Sequence, residues 1–372
     1  MAYTDIDKPS DYFNTILWTG ASDTAGRSFT GVGFRPDLVW SKIRDDTYNH
    51  NWFDSVRTAG SDKELNSNTV GAEGSGDTDG YGFISSFDTD GFTSAPGTAS
   101  GGRNLEYNQN GNTFVAWNWK AGTSVSGTTT GSGTGKAYTG SVSTNAGFSI
   151  ISYTGNGTQG HTIPHHLGGA VPKMFIVKRI NASGGWVVYH EAVGNTKIME
   201  LHDTSASQTS SAAWNNTTPS STVFTLGDYT STNTNNGNYI AYCFAEKKGF
   251  SKFGKLTSNG SDNGSFCYTG FAPKWVMLKP NVTDGWSNWY IFDTTRDHPQ
   301  LNDMPLYANL STQEGYYGGS PASNYAQIDL LSNGFKIRRD GNWGGGSSGR
   351  ELIYMAFGQS IVGSNNVPAT AR

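Results

Sequence analysis

The 372-residue sequence predicts an all-β fold with three tandem antiparallel β-sandwich units of the jelly-roll kind, each roughly 100 residues long, and little helix. Four strand-like segments recur in the same order three times along the chain. Clusters of Gly, Asn, Asp and Ser bound these segments and are typical of turns. Apolar residues nowhere follow the 3.6-residue period of a long amphipathic helix, so strands and not helices should form the core.

The first two landmarks in each copy are an octet that opens with Phe and closes with Gly, and a Pro-led strand. The octets are Phe13–Gly20, Phe148–Gly155 and Phe253–Gly260. In every Pro-led strand a Lys follows the Pro after six residues, in the pairs Pro36 and Lys42, Pro172 and Lys178, and Pro273 and Lys279. A proline that opens a strand removes no ladder hydrogen bond, which suits this position.

A Trp-led strand and a closing strand complete each copy. The Trp-led strands begin at Trp52, Trp186 and Trp289, and the closing strands are 113–117, 238–242 and 351–357. These landmarks place the units at residues 1–122, 136–248 and 249–360. Residues 123–135, rich in Gly, Ser and Thr, read as a linker or as a polar loop packed on its neighbour, and residues 361–372 form a C-terminal tail.

Composition excludes several classes of protein. Charged residues are 15% of the chain, and the net charge of −4 gives no basic surface for nucleic acid. No apolar run approaches the ~20 residues of a membrane-spanning helix, so we expect no membrane insertion. The N-terminus, Met1–Asp5, lacks the basic and apolar regions of a signal peptide, which predicts synthesis in a cytoplasm.

The cysteines and histidines predict structural roles. Cys243 and Cys267 lie in apolar runs and read as small buried side chains, with a disulfide between them as the alternative. His161, His165 and His166 have a spacing that could hold a metal on a helix, but Pro164 places them in a loop. We therefore expect no cofactor.

Two Asp-Thr-Asp-Gly stretches are candidate calcium ligands. They contain Asp77 and Asp79, and Asp88 and Asp90. Alternating carboxylates followed by Gly can open a calcium loop, but the later ligands of such a loop are missing. Asp-Gly is equally a turn signal, and the turn interpretation predicts no metal.

The aromatic residues, 13% of the chain, divide into two groups. Six tryptophans lie in predicted strands and should pack in the core, namely Trp40, Trp117, Trp119, Trp186, Trp275 and Trp289. Trp286, Tyr316, Tyr317 and Trp343 lie instead among Gly, Ser and Asn in predicted loops. Exposed rings beside amides and hydroxyls suit sugar stacking, so these four are candidate binding residues for a glycan or a protein. The alternative is that they anchor long loops on the sandwiches or face a neighbouring chain.

Several phrases of the sequence resemble virion structural proteins of marine tailed bacteriophages, which are often labelled tail fibre or fibre-like. The phrases are Gly31–Trp40, Phe114–Gly122, Gly147–Gly157 and Tyr239–Ala245. The resemblance extends from Asp7 to about Phe357 and implies units similar to concanavalin-like lectin sandwiches. It carries no catalytic residue to transfer. The first unit begins within about a dozen residues and has no heptads, unlike fibres that open with an anchoring segment and a trimerising shaft.

These observations lead to one leading hypothesis and two alternatives. The leading hypothesis is a non-enzymatic virion protein, a tail fibre or tail appendage, that contacts the host surface and binds glycans. Its expected partners are other virion proteins, further copies of itself with a trimer favoured, and a host glycan or protein. The first alternative is a capsid- or tail-attached decoration or connector protein. The second is a tailspike enzyme that cleaves glycans, although the sequence shows no nucleophile elbow, phosphate loop or recurring glutamate.

Overall fold

The computed structural model describes residues 4–75, 78–100, 102–283, 286–300, 302–317, 320–321, 327–338 and 348–359. Within these ranges the protein consists of antiparallel strands, four helices of four residues each, and two single-turn 3-10 helices. The predicted all-β class with little helix is therefore confirmed. The short helices are α1 Thr78–Tyr81, α2 Leu105–Asn108, α3 Ser211–Trp214 and α4 Thr230–Asn233, and the 3-10 turns are Pro9–Asp11 and Ser61–Lys63.

We describe the strands in three segments, residues 4–122, 123–248 and 249–359. The first segment contains β1 Phe13–Thr19, β2 Arg27–Thr30, β3 Leu38–Ile43, β4 Asn51–Asp54, β5 Leu65–Asn66, β6 Phe83–Asp88, β7 Gly91–Ala95 and β8 Thr113–Trp119. The second contains β9 Thr123–Thr128, β10 Thr130–Gly131, β11 Ala137–Ser143, β12 Phe148–Thr154, β13 His161–Pro164, β14 Pro172–Arg179, β15 Trp186–His190, β16 Lys197–Glu200, β17 Gln208–Thr209, β18 Val223–Leu226 and β19 Asn238–Ala245. The third contains β20 Ser251–Thr257, β21 Asn263–Tyr268, β22 Ala272–Pro280, β23 Tyr290–Asp293, β24 Leu306–Tyr307, β25 Tyr316–Tyr317, β26 Ser320–Pro321, β27 Gln327–Leu331, β28 Gly334–Arg338 and β29 Glu351–Gln359.

Each segment contributes one large sheet, and the three large sheets share a strand order. The first is β1-β8-β3-β4-β5 and the third is β20-β29-β22-β23-β24. The second contains the same five positions as β12-β19-β14-β15-β16, extended by β11 and β9 on one side and by β17 on the other. In each sheet the closing strand thus lies between the octet strand and the Pro-led strand.

A three-stranded sheet covers the outer face of each large sheet. These small sheets are β2-β7-β6, β10-β13-β18 and β21-β28-β27. In the first segment, Phe29 and Phe92 of the small sheet pack with Val39 and Phe114 of the large one. The second and third segments have corresponding cores. Two antiparallel sheets that enclose a core are the β-sandwich arrangement that the sequence predicts.

The inner faces of the three large sheets meet in one central core. Trp40 and Trp117 of the first segment, Trp186 of the second and Trp275 and Trp289 of the third belong to this core. Strand β3 has both faces buried, and Lys42, at its end, is also buried. The tryptophans predicted to lie in the core are buried as expected, but they pack between segments and not inside separate sandwiches, and the number of independent units stays a prediction.

Residues 123–135, expected to be a linker, instead contribute strands to the second segment. Residues Thr123–Thr128 pair with Ala137–Val142 as the outermost strand of the large sheet. Thr130 and Gly131 pair with β13 in the small sheet. The free edge of β11 supplies backbone donors and acceptors, so this Ser- and Thr-rich stretch gains ladder hydrogen bonds there in spite of its flexible composition. The tail predicted at 361–372 lies outside the described residues.

Candidate functional site

A polar cleft opens where the first two segments meet. Its volume is about 440 Å³. One wall carries residues that precede β3 and follow β4, and the other is the extension formed by β9 and β11. The lining residues are Arg35, Asp37, Ser55, Val56, Gly122, Ser124, Val125, Ser126, Thr139, Gly140 and Ser141. The cleft therefore exists because the second sheet runs two strands beyond the common five.

Asp37 forms the floor of this cleft and ties its two walls together. Its carboxylate is buried and accepts hydrogen bonds from the Ser55 hydroxyl (2.6 Å), the Ser141 hydroxyl (3.0 Å) and the Ala121 backbone N–H (2.8 Å). Three donors from both segments stabilise the negative charge in place. The Ser141 hydroxyl in turn accepts the N–H of Gly122 at 2.9 Å, which fixes the chain where it passes between the segments.

Arg35 stands at the rim above Asp37. Its side chain is 51% exposed, and its guanidinium nitrogen lies 3.7 Å from the nearer Asp37 oxygen, which is too far for a hydrogen bond. The guanidinium also lies 5.7 Å from the centre of the Phe87 ring. A cation over an aromatic face keeps its orientation while its N–H groups stay available.

Hydroxyl groups cover the opposite wall. In the register of β9 and β11, Ser124 faces Ser141 and Ser126 faces Thr139. Alternation along the strands places these four side chains on one face of the sheet, while Tyr138 and Val142 face the core of the second segment. Ser124, Ser126 and Thr139 are exposed. The wall is therefore a ladder of small groups that both donate and accept hydrogen bonds.

A second cleft lies at the corresponding place between the third and first segments. Its volume is about 220 Å³, and its lining includes Lys274, Thr294 and Thr295 of the third segment and Asn14 of the first. Lys274 follows the strand-opening proline as Asp37 does, and Thr294 follows β23 as Ser55 follows β4. In the second segment the side chains at the corresponding positions, Lys173 and Glu191, form an ion pair with each other at 2.7 Å.

Buried acid–arginine groups follow the fourth strand of the first and third large sheets. Asp54 accepts the backbone N–H groups of Val56 and Arg57 and pairs with the Arg57 guanidinium at 2.5 Å, and Glu73 also binds that guanidinium. Asp293, Arg296 and Glu314 repeat this arrangement in the third segment. Burial alone would oppose the charge, but Asp54 raises the pKa of Arg57, and Asp293 and Glu314 raise that of Arg296.

At the corresponding position of each large sheet, a side chain forms a hydrogen bond with a neighbouring segment. The three bonds together connect each segment to the other two. The Tyr242 hydroxyl of the second segment donates to Asp54 at 2.7 Å, and the Trp117 indole N–H of the first donates to Asp293 at 2.9 Å. In the second segment His190 replaces the aspartate, and its Nε2 lies 3.1 Å from the backbone oxygen of Tyr354 in the third. Burial lowers the pKa of His190 to about 4, so the ring is neutral at pH 7.

The lysines at the recurring Pro-led position are buried and contact backbone oxygens. The Lys178 amine donates to Val70 of the first segment at 3.2 Å, and the Lys279 amine donates to Thr204 of the second at 2.8 Å. Lys42 donates within its own segment, to the oxygens of residues 43 and 46. Burial lowers the pKa of both Lys42 and Lys178 to about 7.

Two buried glutamates of the first segment have no counterpart among the recurring landmarks. The Asn66 amide donates to Glu64 at 2.8 Å, and the Asn51 amide donates to Glu106 at 3.3 Å. The Tyr107 hydroxyl lies 3.4 Å from Glu64. Both carboxylates are almost fully buried, so no substrate reaches them in this conformation.

The structure describes the side chains of two of the four loop aromatic residues that the sequence predicts as binding residues. Trp286 and Tyr316 are exposed, as a binding role requires, and they lie in separate places, before β23 and in β25. Tyr317 belongs to β25, but its side chain lies outside the described part of the structure. Trp343 also lies outside it.

Among the side chains that the structure describes, the most exposed aromatic ones are not predicted binding residues. Phe266 and Tyr268 on β21 are 46% and 61% exposed. They are two residues apart on one face of the strand, and the Lys252 amine lies 5.6 Å from the Tyr268 ring centre. Their period-2 spacing in a strand bounded by turns is the signal that could have found them.

The structure describes the side chains of two of the four aspartates that are candidate calcium ligands. Asp88 accepts the Ser86 and Thr93 hydroxyls at 2.7 and 2.6 Å, and Asp90 accepts the backbone N–H groups of Gly31 and Gly33 at 3.0 and 2.5 Å. The backbone donors lower the pKa of the exposed Asp90. Both carboxylates thus bind their own segment in turns. Asp77 and the side chain of Asp79 lie outside the described residues, within which no three His, Cys, Asp or Glu side chains group as metal ligands.

The three clustered histidines have separate protein partners. His161 lies between Asn233 and Thr129, at 3.0 and 2.6 Å, and is buried. His165 contacts a backbone oxygen and His166 contacts the Tyr138 hydroxyl. Each ring thus stabilises local structure.

The two cysteines are free and buried in different cores, so the disulfide alternative is wrong. Cys243 belongs to the core of the second segment and Cys267 to that of the third.

Among the described residues no helix is both long and apolar enough to cross a bilayer.

Comparison with curated proteins and with solved structures finds no match for this chain. One protein-family model, described as "Domain of unknown function (DUF7483)", matches residues 8–360. This range includes all three large sheets and both clefts. The chain therefore belongs to the DUF7483 family.

Proposed function

We propose that this chain is a non-enzymatic structural protein of a tailed-phage virion, a tail fibre or tail appendage that contacts the host surface and binds glycans. The virion setting rests on the resemblance of phrases such as Gly31–Trp40 and Gly147–Gly157 to marine phage structural proteins. The observation that carries the binding role is the polar cleft, because its accessible wall consists of hydroxyl groups beside a half-exposed guanidinium.

The placement of the buried carboxylates supports binding over catalysis. Asp54 and Asp293 are neutralised by buried arginines, and Glu64 and Glu106 are shielded from solvent. A glycosidase needs two carboxyl groups that face one substrate, with one of them free to release a proton. In the proposed function these groups stabilise the fold.

Weak binding at each cleft becomes firm attachment when many copies act together. We propose that the protein assembles with other virion proteins and with copies of itself, a trimer being favoured by tail symmetry. Linked sites raise the effective concentration of the second contact, so millimolar single-site affinities suffice. The host partner in this proposal is a surface glycan or a protein.

The exposed pair Phe266 and Tyr268 favours a second candidate, a decoration or connector protein attached to capsid or tail. Aromatic side chains are enriched at the centres of protein interfaces. In this function the β21 surface would be covered by a neighbouring virion protein, and its loss would reduce incorporation into particles.

Labelled antibodies on intact particles test the location, and purified protein added to host cells tests attachment. We expect labelling at the tail and a dose-dependent reduction of phage adsorption. Loss of adsorption without loss of incorporation in a cleft variant supports the attachment function, whereas loss of incorporation alone in Phe266→Ala/Tyr268→Ala supports the connector function. Release of sugars from a glycan panel by the purified protein would contradict both and support a tailspike enzyme.

A further inference from the structure

We propose that the cleft between the first and second segments is a site for a neutral saccharide, held by Arg35 and by the hydroxyl ladder of β9 and β11. The inference rests on the proposed attachment function and assigns it a place and a ligand class. The groups that carry it are the Arg35 guanidinium and the hydroxyls of Ser124, Ser126 and Thr139.

These groups have hydrogen-bonding capacity that the protein leaves unused. Within the described ranges of the chain, the Arg35 guanidinium and the hydroxyls of Ser124, Ser126 and Thr139 form no hydrogen bond with protein atoms. A guanidinium presents parallel N–H groups that match two adjacent oxygens, such as those of vicinal ring hydroxyls. Each serine or threonine hydroxyl can both donate to and accept from a sugar hydroxyl.

The charge of the cleft selects a neutral ligand. Arg35 and Asp37 are its charged lining residues, and their formal charges cancel. The Asp37 oxygens already accept three hydrogen bonds from Ser55, Ser141 and Ala121, so this residue stabilises the walls and leaves ligand contacts to its neighbours. A carboxylated or phosphorylated ligand would gain the attraction of Arg35 but would meet the Asp37 charge immediately below it.

The cleft also has the size and the preorganisation of a ligand site. Its volume of about 440 Å³ lies within the ~300–1,000 Å³ range of small-molecule sites. Asp37 joins the two walls, and the Phe87 ring lies beside the guanidinium. The two walls are therefore fixed relative to each other before a ligand binds, which lowers the cost of forming the site. Val56 provides apolar atoms for the C–H face of a sugar ring.

The test is saturation-transfer NMR and titration with the full chain against a defined panel. The neutral members are glucose, galactose, mannose, N-acetylglucosamine and their short oligomers, and the acidic members are glucuronic and sialic acid. The cleft variants are Arg35→Gln and Ser124→Ala/Ser126→Ala. The matched control is Ser28→Ala, an exposed strand hydroxyl on the small sheet of the first segment. Circular dichroism and thermal melts establish that each variant is folded.

We expect the wild-type protein and Ser28→Ala to bind at least one neutral saccharide, with affinity at least tenfold lower in Arg35→Gln and at least threefold lower in the double serine variant. Equal binding by the folded cleft variants would overturn the assignment of the site. Binding of acidic sugars alone would overturn the ligand class. If no saccharide binds while the protein still blocks adsorption, the inference fails and the attachment function stands; if neither occurs, both fail.

Discussion

The substitution Tyr242→Phe removes one hydroxyl and measures how much a single hydrogen bond between the first and second segments contributes to the free energy of unfolding. The hydroxyl donates to Asp54 at 2.7 Å, and both residues are buried. Burial and the Asp54 charge raise the pKa of Tyr242, so the group remains a donor at neutral pH. A hydrogen bond to a charged group contributes ~1.5–3 kcal/mol. Asp54 keeps its Arg57 partner in the variant, so we expect a loss of about 2 kcal/mol in the free energy of unfolding.

This loss converts into a small but measurable thermal shift. Unfolding entropy is roughly 2.1 cal/mol/K per residue, or about 0.8 kcal/mol/K for 372 residues, which gives a decrease in Tm of about 2–3 °C. The assay is urea and thermal unfolding followed by both far-ultraviolet circular dichroism and tryptophan fluorescence. Tyr268→Phe is the control, because that side chain is 61% exposed and should cost less than ~0.5 kcal/mol.

The shared central core also predicts that the two probes report one transition. Trp52 of the first segment contacts Trp186 of the second, with ring centres 5.1 Å apart, so fluorescence senses the boundary between segments. If Tyr242→Phe is as stable as Tyr268→Phe, the stabilising role of this hydrogen bond is refuted. If circular dichroism shows one segment unfolding before tryptophan fluorescence changes, the shared core is refuted.

Three further predictions concern buried ionisable groups. Burial lowers the pKa of Lys42 from 10.5 to about 7, so between these pH values the unfolded chain binds more protons at this residue and stability should rise with pH. Lys42 should contribute up to ~1.4 kcal/mol per pH unit to this rise, and Lys42→Met should remove that contribution in urea titrations at pH 7–9 while the one from Lys178 remains. Arg296→Met leaves the buried Asp293 carboxylate without its cation, while Glu314 keeps Arg44, and should lower the free energy of unfolding in urea by ~3–5 kcal/mol. Lys255→Met, at a largely exposed ion pair, should lower it by less than ~1 kcal/mol, and similar values for the two would contradict the burial argument. Burial raises the pKa of Cys243 to about 12 and also raises that of Cys267, so iodoacetamide at pH 8 should modify neither in the native protein and both in urea, as mass spectrometry would show.

The recurring landmarks predicted much of the strand order, because each marks one position in a sheet. Register identifies Trp40, Ile176 and Met277 as equivalent, all four residues after the strand-opening prolines. The Trp-led landmark of the first copy is shifted by two residues from its true position in the sheet. Trp52 occupies the position of Val188 in the second sheet, and not that of Trp186. A large ring suits either position in a core, so residue type alone could not fix the register.

The cleft could not be predicted, because it depends on how segments meet. Ser124 and Ser126 lie in a stretch whose composition indicates a linker, and only the free edge of β11 makes it a strand. The sequence shows that a lysine recurs at this position of each Pro-led strand, but it does not show that the lysine is buried, because lysine is rarely buried without partners. The oxygens of Val70 and Thr204 that it binds belong to loops without a sequence signal.

The central strands carry a consequence for which substitutions this chain can tolerate. A residue such as Val39 faces the core of its own sandwich, while its neighbour Trp40 faces the other two segments. Because all three large sheets contribute to one central core, a larger or smaller ring in one segment must be matched by its neighbours in the other two. Substitutions are therefore tolerated best at the rims and outer turns, where side chains meet solvent and not the core that all three segments share.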